Sequence, residues 1–120
     1  MAIQISGTTV IDNSRNLANI ATFDSTVTSA WDTVGIANTN KTLVNRELCI
    51  VTNPGCTITL PASPSTGWEV VVGVGSFTNT VIGRNASNIM ALAEDMTIDR
   101  QYAVMNFVYS GDASQGWRLY

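Results

Sequence analysis

The chain is organised around the stretch Leu48-Cys-Ile-Val-Thr-Asn-Pro-Gly-Cys-Thr-Ile-Thr-Leu60, in which two apolar runs flank the triplet Asn53-Pro54-Gly55. Proline and glycine at such a junction favour a reversal of the chain. The pattern therefore predicts a β-hairpin in which Leu48–Thr52 pairs with Cys56–Leu60. The expected register places Ile50 opposite Ile58, on the face that packs into the core.

The two cysteines are predicted to lie on different faces of this hairpin. Cys56 shares the face of Ile50 and Ile58, whereas alternation along the strand turns Cys49 to the other side. Thiols that point away from each other cannot reach disulfide geometry. Both are therefore expected to be free and to form no zinc site, with Cys56 acting as a small core residue.

Short alternating segments continue to the end of the chain. Strands are predicted at Trp68–Val74, Thr80–Arg84, Met96–Ile98, Tyr102–Tyr109 and Trp117–Tyr120. Turn residues separate them, and no amphipathic helix of ordinary length lies between them. This spacing predicts an all-β fold, a small β-sandwich or barrel-like domain. Trp68 and Trp117 fall on apolar faces and are predicted to lie in the core.

The pattern of apolar residues changes near residue 40. Residues 1–40 are polar with only intermittent apolar side chains, which predicts an extended N-terminal arm for attachment or trimerisation. A short helical turn around Ser25–Thr33 is an alternative within it, because Asp24 and Ser25 could cap one, although its β-branched residues disfavour a helix. Residues 41–120 contain the clear strand patterns and are predicted to form the β-sandwich domain.

Composition excludes several classes of function. Charged residues make up only 12% of the 120 residues, the net charge is −3, and the six basic residues are scattered along the chain. A chain without a basic stripe is not expected to bind nucleic acid. The start of the sequence lacks the pattern of a signal peptide, and no apolar run is long enough for a membrane span, so no membrane insertion is expected.

Several segments resemble tail fibres of marine and freshwater phages, cyanophages especially. The N-terminal segment is Ile5-Ser-Gly-Thr-Thr-Val-Ile-Asp-Asn-Ser-Arg-Asn-Leu-Ala-Asn-Ile20. The later ones are Ile58-Thr-Leu-Pro-Ala-Ser-Pro64, Ile82-Gly-Arg-Asn-Ala-Ser-Asn-Ile-Met90, Leu92-Ala-Glu-Asp-Met-Thr-Ile-Asp99 and Gly116-Trp-Arg118. The resemblance implies a virion component and a homotrimer, and it implies no catalytic residues. The chain departs from such fibres because it has no long shaft.

The residues themselves offer little catalytic chemistry. The chain has no histidine, which excludes histidine-activated nucleophiles and histidine-ligated metals. Glu94 and Asp95 are the one adjacent acidic pair, and neighbours on an extended chain point in opposite directions rather than across a sugar. Together with Asp99 they could ligate calcium, but the spacing matches no known calcium loop. We therefore predict no catalytic, cofactor-binding or metal-binding residues and no cofactor.

Exposed aromatic rings are the remaining candidates for ligand binding. Trp31 and Tyr120 are the aromatic residues least constrained by the strand pattern, and such rings can stack on sugars. A host-surface glycan is thus one candidate partner. The other expected partners are further copies of the chain and other virion proteins, which the N-terminal arm would bind by adding a strand to their sheets.

Three functions follow as hypotheses. The first is a non-enzymatic virion component, a short trimeric tail fibre or host-adhesion module that assembles in the host cytoplasm. The second is a decoration protein that cements the capsid. The third is a spike that degrades polysaccharide.

Overall fold

The structure is a computed structural model that describes residues 3–5, 8–11 and 31–120. The chain divides into two compact units, Met1–Ala30 and Trp31–Tyr120. In the first unit, β1 (Ile3–Ile5) and β2 (Thr8–Ile11) form an antiparallel pair. The remainder of the predicted arm up to Ala30, with most of the helical turn considered around residues 25–33, lies outside the described residues.

The second unit is built of short strands joined by turns, and its residues form no helix. Its strands are β3 (Thr33–Ala37), β4 (Lys41–Thr42), β5 (Glu47–Val51), β6 (Thr57–Thr59), β7 (Glu69–Val74), β8 (Thr80–Gly83), β9 (Met96–Ile98), β10 (Val104–Tyr109) and β11 (Trp117–Leu119). The predicted all-β class is confirmed. β3 belongs to this unit, whereas the sequence pattern placed residues up to 40 in the arm.

Two mixed sheets make up the unit. One has five strands in the order β11-β10-β7-β5-β3, and the other has four in the order β4-β6-β8-β9. Each of the pairs β3–β4, β5–β6 and β7–β8 begins in the five-stranded sheet and ends in the four-stranded one. We call each such pair of strands a rung. Successive rungs stack on one another, so β3, β5 and β7 run parallel, as do β4, β6 and β8.

The predicted hairpin of Leu48–Thr52 with Cys56–Leu60 is wrong. β5 and β6 lie in different sheets, and each pairs with strands of neighbouring rungs. Asn53-Pro54-Gly55 still turns the chain, with Gly55 at a φ of 78°, but the turn forms a corner between sheets. Parallel strands need a long crossover, and here the strand in the opposite sheet supplies it where other folds use a helix.

Asparagine side chains hold the corners together. The Asn40 side-chain oxygen accepts a hydrogen bond from the backbone N–H of Thr57 at 2.8 Å. That of Asn45 accepts one from the backbone N–H of Glu69 at 3.0 Å. These bonds give partners to backbone donors at the starts of strands in the next rung. The asparagine-rich composition thus has a local structural cause.

The inner faces of the two sheets enclose one apolar core. Residues from both sheets contribute to it, with Trp117 and Phe107 the largest of its fully buried side chains. Trp117 packs edge-to-face on Tyr109, with the ring centroids 5.5 Å apart. The prediction that Trp117 lies in the core is confirmed, and Trp68 packs against the core while remaining partly exposed. Antiparallel strands β9, β10 and β11 complete the sheets after the last rung.

Candidate interaction surface

The five-stranded sheet presents a second apolar face on the side away from the core. Because side chains alternate along a strand, Glu47, Cys49 and Val51 point inward on β5 while Leu48 and Ile50 point outward. The strand register aligns the outward residues of four strands in two rows. The rows are Val34–Leu48–Val71–Asn106 and Ile36–Ile50–Gly73–Val104, and we call them together the outer face.

This outer face is apolar and solvent-exposed. Asn106 is its one polar residue, and it carries no charge. Of the nine exposed large apolar or aromatic residues within residues 31–120, four belong to it: Val34, Ile36, Ile50 and Val104. Contiguous exposed apolar surface on a soluble protein marks a site of interaction. The outer face is therefore the strongest candidate functional surface of the described chain.

The relief of the outer face is uneven. Val34 and Ile36 on the outermost strand β3 are 67% and 71% exposed, and we call this pair the ridge. Val71 and Gly73 on β7 are buried among their neighbours, with Val71 only 5% exposed, and we call this pair the recess. Gly73 has no side chain, and a Cβ there would lie 3.1 Å from the Ile50 Cδ1 atom. The ridge and the recess lie two strands apart on the same face.

Charged side chains collect at one end of the outer face, where they pair with one another. Arg46 lies between two acids, with its Nε 3.4 Å from Asp32 Oδ1 and its Nη1 3.9 Å from Glu69 Oε1. The Tyr120 hydroxyl, from the end of the neighbouring β11, donates to Glu69 Oε2 at 2.6 Å. This hydrogen bond raises the pKa of Tyr120 to about 12. Tyr120, one of the two candidate ligand-binding aromatic residues, thus has a structural contact through its hydroxyl.

The inner face contains one buried carboxylate, at Glu47. Glu47 is 2% exposed, and its Oε2 lies 2.5 Å from Lys41 Nζ on the opposite sheet. Its Oε1 accepts a hydrogen bond from the backbone N–H of Val44 at 3.0 Å. Gly35 leaves room for the pair, since a Cβ there would lie 2.9 Å from Lys41 Nζ. The hydrogen bond to Glu47 raises the pKa of Lys41. The pair links β4 of the first rung, in the four-stranded sheet, to β5 of the second rung, in the five-stranded sheet.

The acidic residues singled out in the sequence lie near a small pocket. Its volume is about 150 Å³, and its lining residues are Ile89, Met90, Leu92, Glu94, Asp95 and Met96. Asp95 Oδ1 accepts a hydrogen bond from the backbone N–H of Arg84 at 2.9 Å, and Asp99 lies beyond β9, outside the lining. Within residues 31–120 no group of three or more Cys, Asp or Glu side chains is placed to hold a metal ion.

The two cysteines do not lie on opposite sides of a sheet as predicted. Both side chains are buried in the core between the sheets, and both are free. The prediction failed because β5 and β6 face each other across the core, so Cys49 points inward. Burial raises the pKa of the Cys49 thiol. A buried thiol with a raised pKa is a packing group rather than a nucleophile.

Trp31 and Tyr102 complete the set of candidate aromatic residues. Trp31 is half-buried at the start of the second unit, and Tyr102 is 71% exposed in the turn before β10. The sequence pattern points to Trp31 and Tyr120 as candidate ligand-binding residues and predicts that Tyr102 begins a strand. Its φ of 56° instead breaks the strand and leaves the ring in solvent.

No protein-family model matches the chain, and no curated protein matches it in sequence. No helix among the described residues is long and apolar enough to cross a bilayer. The resemblance to phage fibres thus rests on the residue pattern alone and stays a prediction.

The outer face was missed by the sequence prediction, although a signal was present. Leu48–Val51 and Val70–Val72 are continuous apolar runs, which are typical of parallel strands that are covered on both faces. The hairpin model used only every second residue of the first run. A continuous apolar run predicts that both faces of the strand are apolar, and therefore that a second face besides the core face is suited to burial.

Proposed function

We propose that the chain is a non-enzymatic structural component of a bacteriophage virion, a short homotrimeric tail fibre or host-adhesion module. The observation that carries this proposal is the exposed, uncharged outer face of the five-stranded sheet. Within the described residues Val34, Ile36 and Val104 are exposed to solvent, and contiguous apolar patches on a protein surface often mark sites of interaction. Subunits of an assembly bury such faces permanently.

The motifs of the sequence supply the viral part of the proposal. The segments Ile58–Pro64, Ile82–Met90 and Leu92–Asp99 resemble the C-terminal domain of phage fibres, in the same order and spacing. The described residues form rungs of short strands, and asparagine side chains make hydrogen bonds at the corners between them. A rigid arrangement of this kind is compatible with a structural role. The virion, assembled in the host cytoplasm, is accordingly the proposed location.

A host-surface glycan is the proposed target of the adhesion role. Aromatic rings bind sugars by stacking on their apolar faces. Tyr102 presents its ring to solvent, whereas the Tyr120 hydroxyl is held by Glu69. If the module binds glycan through stacking, Tyr102→Ala is the variant that should weaken binding to host cells without changing the fold.

We propose that the N-terminal arm joins the protein to other virion proteins. An extended segment gains main-chain hydrogen bonds when it is added to the edge of a partner's sheet. Deletion of residues 2–23 should therefore leave a folded β domain that no longer enters virions. Normal incorporation of this truncated protein would show that the anchor lies in the β domain.

Labelling of virions with an antibody to this chain tests the location. The proposal expects label on the tail in negative-stain micrographs. Label on the head would favour the decoration protein, and particles without label would contradict both. A reducing-sugar assay with host polysaccharide separately tests the enzyme hypothesis, for which the proposal expects no product.

A further inference from the structure

We infer that the pocket lined by residues 89–96 binds the side chain of a lysine that a partner protein presents. Four of its lining side chains are apolar, at Ile89, Met90, Leu92 and Met96, and the other two are the carboxylates Glu94 and Asp95. This combination suits a ligand that has an alkyl stem and a positive charge. The inference goes beyond the proposed function, and it depends neither on the virion assignment nor on the outer face.

The pocket has the size and the lining of a site for an alkyl chain. Its volume is about 150 Å³, with the side chain of Ile89 buried and that of Met96 partly buried. A water molecule takes about 30 Å³ in the liquid, and a methylene group is of similar size, so the pocket has room for about five such groups. The four-carbon stem of lysine with its ammonium group makes up this number. The flexible side chains of the two methionines can adapt to such a stem.

The two carboxylates give the pocket its preference for a cation. Glu94 and Asp95 are exposed at the pocket, and neither belongs to an ion pair among residues 31–120. The hydrogen bond from the backbone N–H of Arg84 uses only the Oδ1 atom of Asp95. A lysine side chain lays its apolar stem along an apolar wall and keeps its charged end near solvent. Its ammonium group would therefore meet the carboxylates while its stem contacts the methionines.

One wall of the pocket is held in shape by a tight turn. Met90 and Ala91 have φ values of 51° and 67°, which non-glycine residues adopt only at a cost in energy. Two backbone hydrogen bonds between Ile89 and Leu92 close the turn, and the N–H of Met90 donates to the carbonyl of Trp117 at 2.7 Å. A site that is formed before its ligand arrives loses less conformational freedom on binding. The turn thus pre-organises the pocket.

The surroundings of the pocket favour a lysine on a polypeptide over a free amine. Leu92 is 55% exposed and Met90 39% exposed, so a small cation inside the pocket would leave much of their surface in water. A lysine that enters from a partner brings a backbone and neighbouring side chains that can cover this surface. The net charge of −3 also favours the approach of a basic partner.

Methionine methyl signals in nuclear magnetic resonance spectra test the pocket directly. The full chain is prepared with isotope-labelled methionine methyl groups, of which Met90 and Met96 line the pocket. Met105 on β10, in the other sheet, is the internal control. The probes are a capped Gly-Lys-Gly peptide and the matching peptide with norleucine, whose side chain has a four-carbon stem without the charge.

The lysine peptide should shift the signals of Met90 and Met96 to saturation, with a Kd on the order of 1 mM for a ligand of this size. The signal of Met105 should stay in place. The norleucine peptide should bind roughly fivefold more weakly, because it lacks the contact with the carboxylates. Equal binding of the two peptides, or no shift with either, would overturn the inference. Tighter binding of cadaverine, a free diamine of similar length, would assign the pocket to a free amine and overturn the partner protein.

A charge-neutral variant locates the cation. Glu94→Gln with Asp95→Asn should weaken binding of the lysine peptide roughly fivefold and leave the norleucine peptide unaffected. The new amide oxygen at position 95 can still accept the hydrogen bond from Arg84. Asp99→Asn is the matched control, because it removes an exposed charge outside the pocket lining and should preserve binding. An equal loss in Asp99→Asn would show an effect of net charge alone and overturn the inference. If the double variant does not fold, Glu94→Gln replaces it.

Discussion

The two faces of the five-stranded sheet are both apolar, yet they differ in what covers them. The four-stranded sheet covers the inner face, where Cys49, Val51 and Phe107 are fully buried. The outer face, with Val34 and Ile36, has similar side chains but remains exposed within the described chain. In the proposed assembly another subunit would cover the outer face, so both kinds of burial would use the same residue types. The contrast predicts that inner substitutions change folding and outer substitutions change association.

The largest effect is expected from Trp117→Ala on the inner face. Trp117 is fully buried and packs on Tyr109, so its removal leaves a large cavity. We expect the free energy of unfolding to fall by about 3–5 kcal/mol, measured by urea denaturation. Tyr102→Ala is the matched control, because the exposed ring of Tyr102 should contribute little to stability. A Trp117→Ala protein that melts within a few degrees of wild type would contradict the assignment of the Trp117 side chain to the core-facing side of β11.

A smaller effect is expected at the charged pair of the inner face. Lys41→Met leaves the Glu47 carboxylate buried without its cation, and we expect a loss of about 1–3 kcal/mol because Lys41 itself is partly solvated. The double variant Lys41→Met, Glu47→Gln should recover part of this loss, which a double-mutant cycle measures. Additive effects of the two substitutions would mean that the pair is not coupled.

The pair should also respond to pH in a defined direction. Glu47 raises the pKa of Lys41 above its ordinary value of 10.5, so the folded state holds this proton more tightly than the unfolded chain. The stabilisation is thus complete below about pH 10 and is lost as the pH rises through the raised pKa. The stability difference between wild type and Lys41→Met should shrink above that pH, and a constant difference would argue against the linkage.

Much of the inner face was predictable from the sequence. Alternation correctly turned Val70, Val72 and Phe107 inward and assigned Trp117 to the core, because each strand there has a clearly apolar side. The predicted orientation of β5 was wrong because both of its sides are apolar, so alternation could not decide which side faces the core. Buried Cys49 then carries the smaller side chain, while the larger Ile50 lies outside.

Topology was beyond what the sequence pattern could establish. Asn53-Pro54-Gly55 can form a turn in a hairpin or a corner between two sheets, and only the pairing of strands from neighbouring rungs distinguishes the two. The Lys41–Glu47 pair was missed for a similar reason. Its residues lie in different sheets, and no local pattern signals that Gly35 leaves room for them.

A subtle effect is expected at the charged edge of the outer face. The Tyr120 hydroxyl donates to Glu69, which raises its pKa to about 12, so its hydrogen bond persists below about pH 10 and is lost as the pH rises through 12. The difference in alkaline absorbance titration between wild type and Tyr120→Phe should show one tyrosine that ionises near pH 12. If the difference instead showed that Tyr120 ionises near pH 10, the contact with Glu69 would not form in solution.

The most direct test of the central claim is the mass of the purified chain in solution, compared with that of an outer-face variant. Light scattering at micromolar concentration should give three times 12.8 kDa for wild type. Val34→Lys with Ile36→Lys should give a monomer with nearly unchanged thermal stability, because exposed lysines are tolerated on an outermost strand. Val44→Lys, at an exposed valine outside the outer face, should retain the wild-type mass. A wild-type monomer, or a ridge variant that keeps the wild-type mass, would contradict the account.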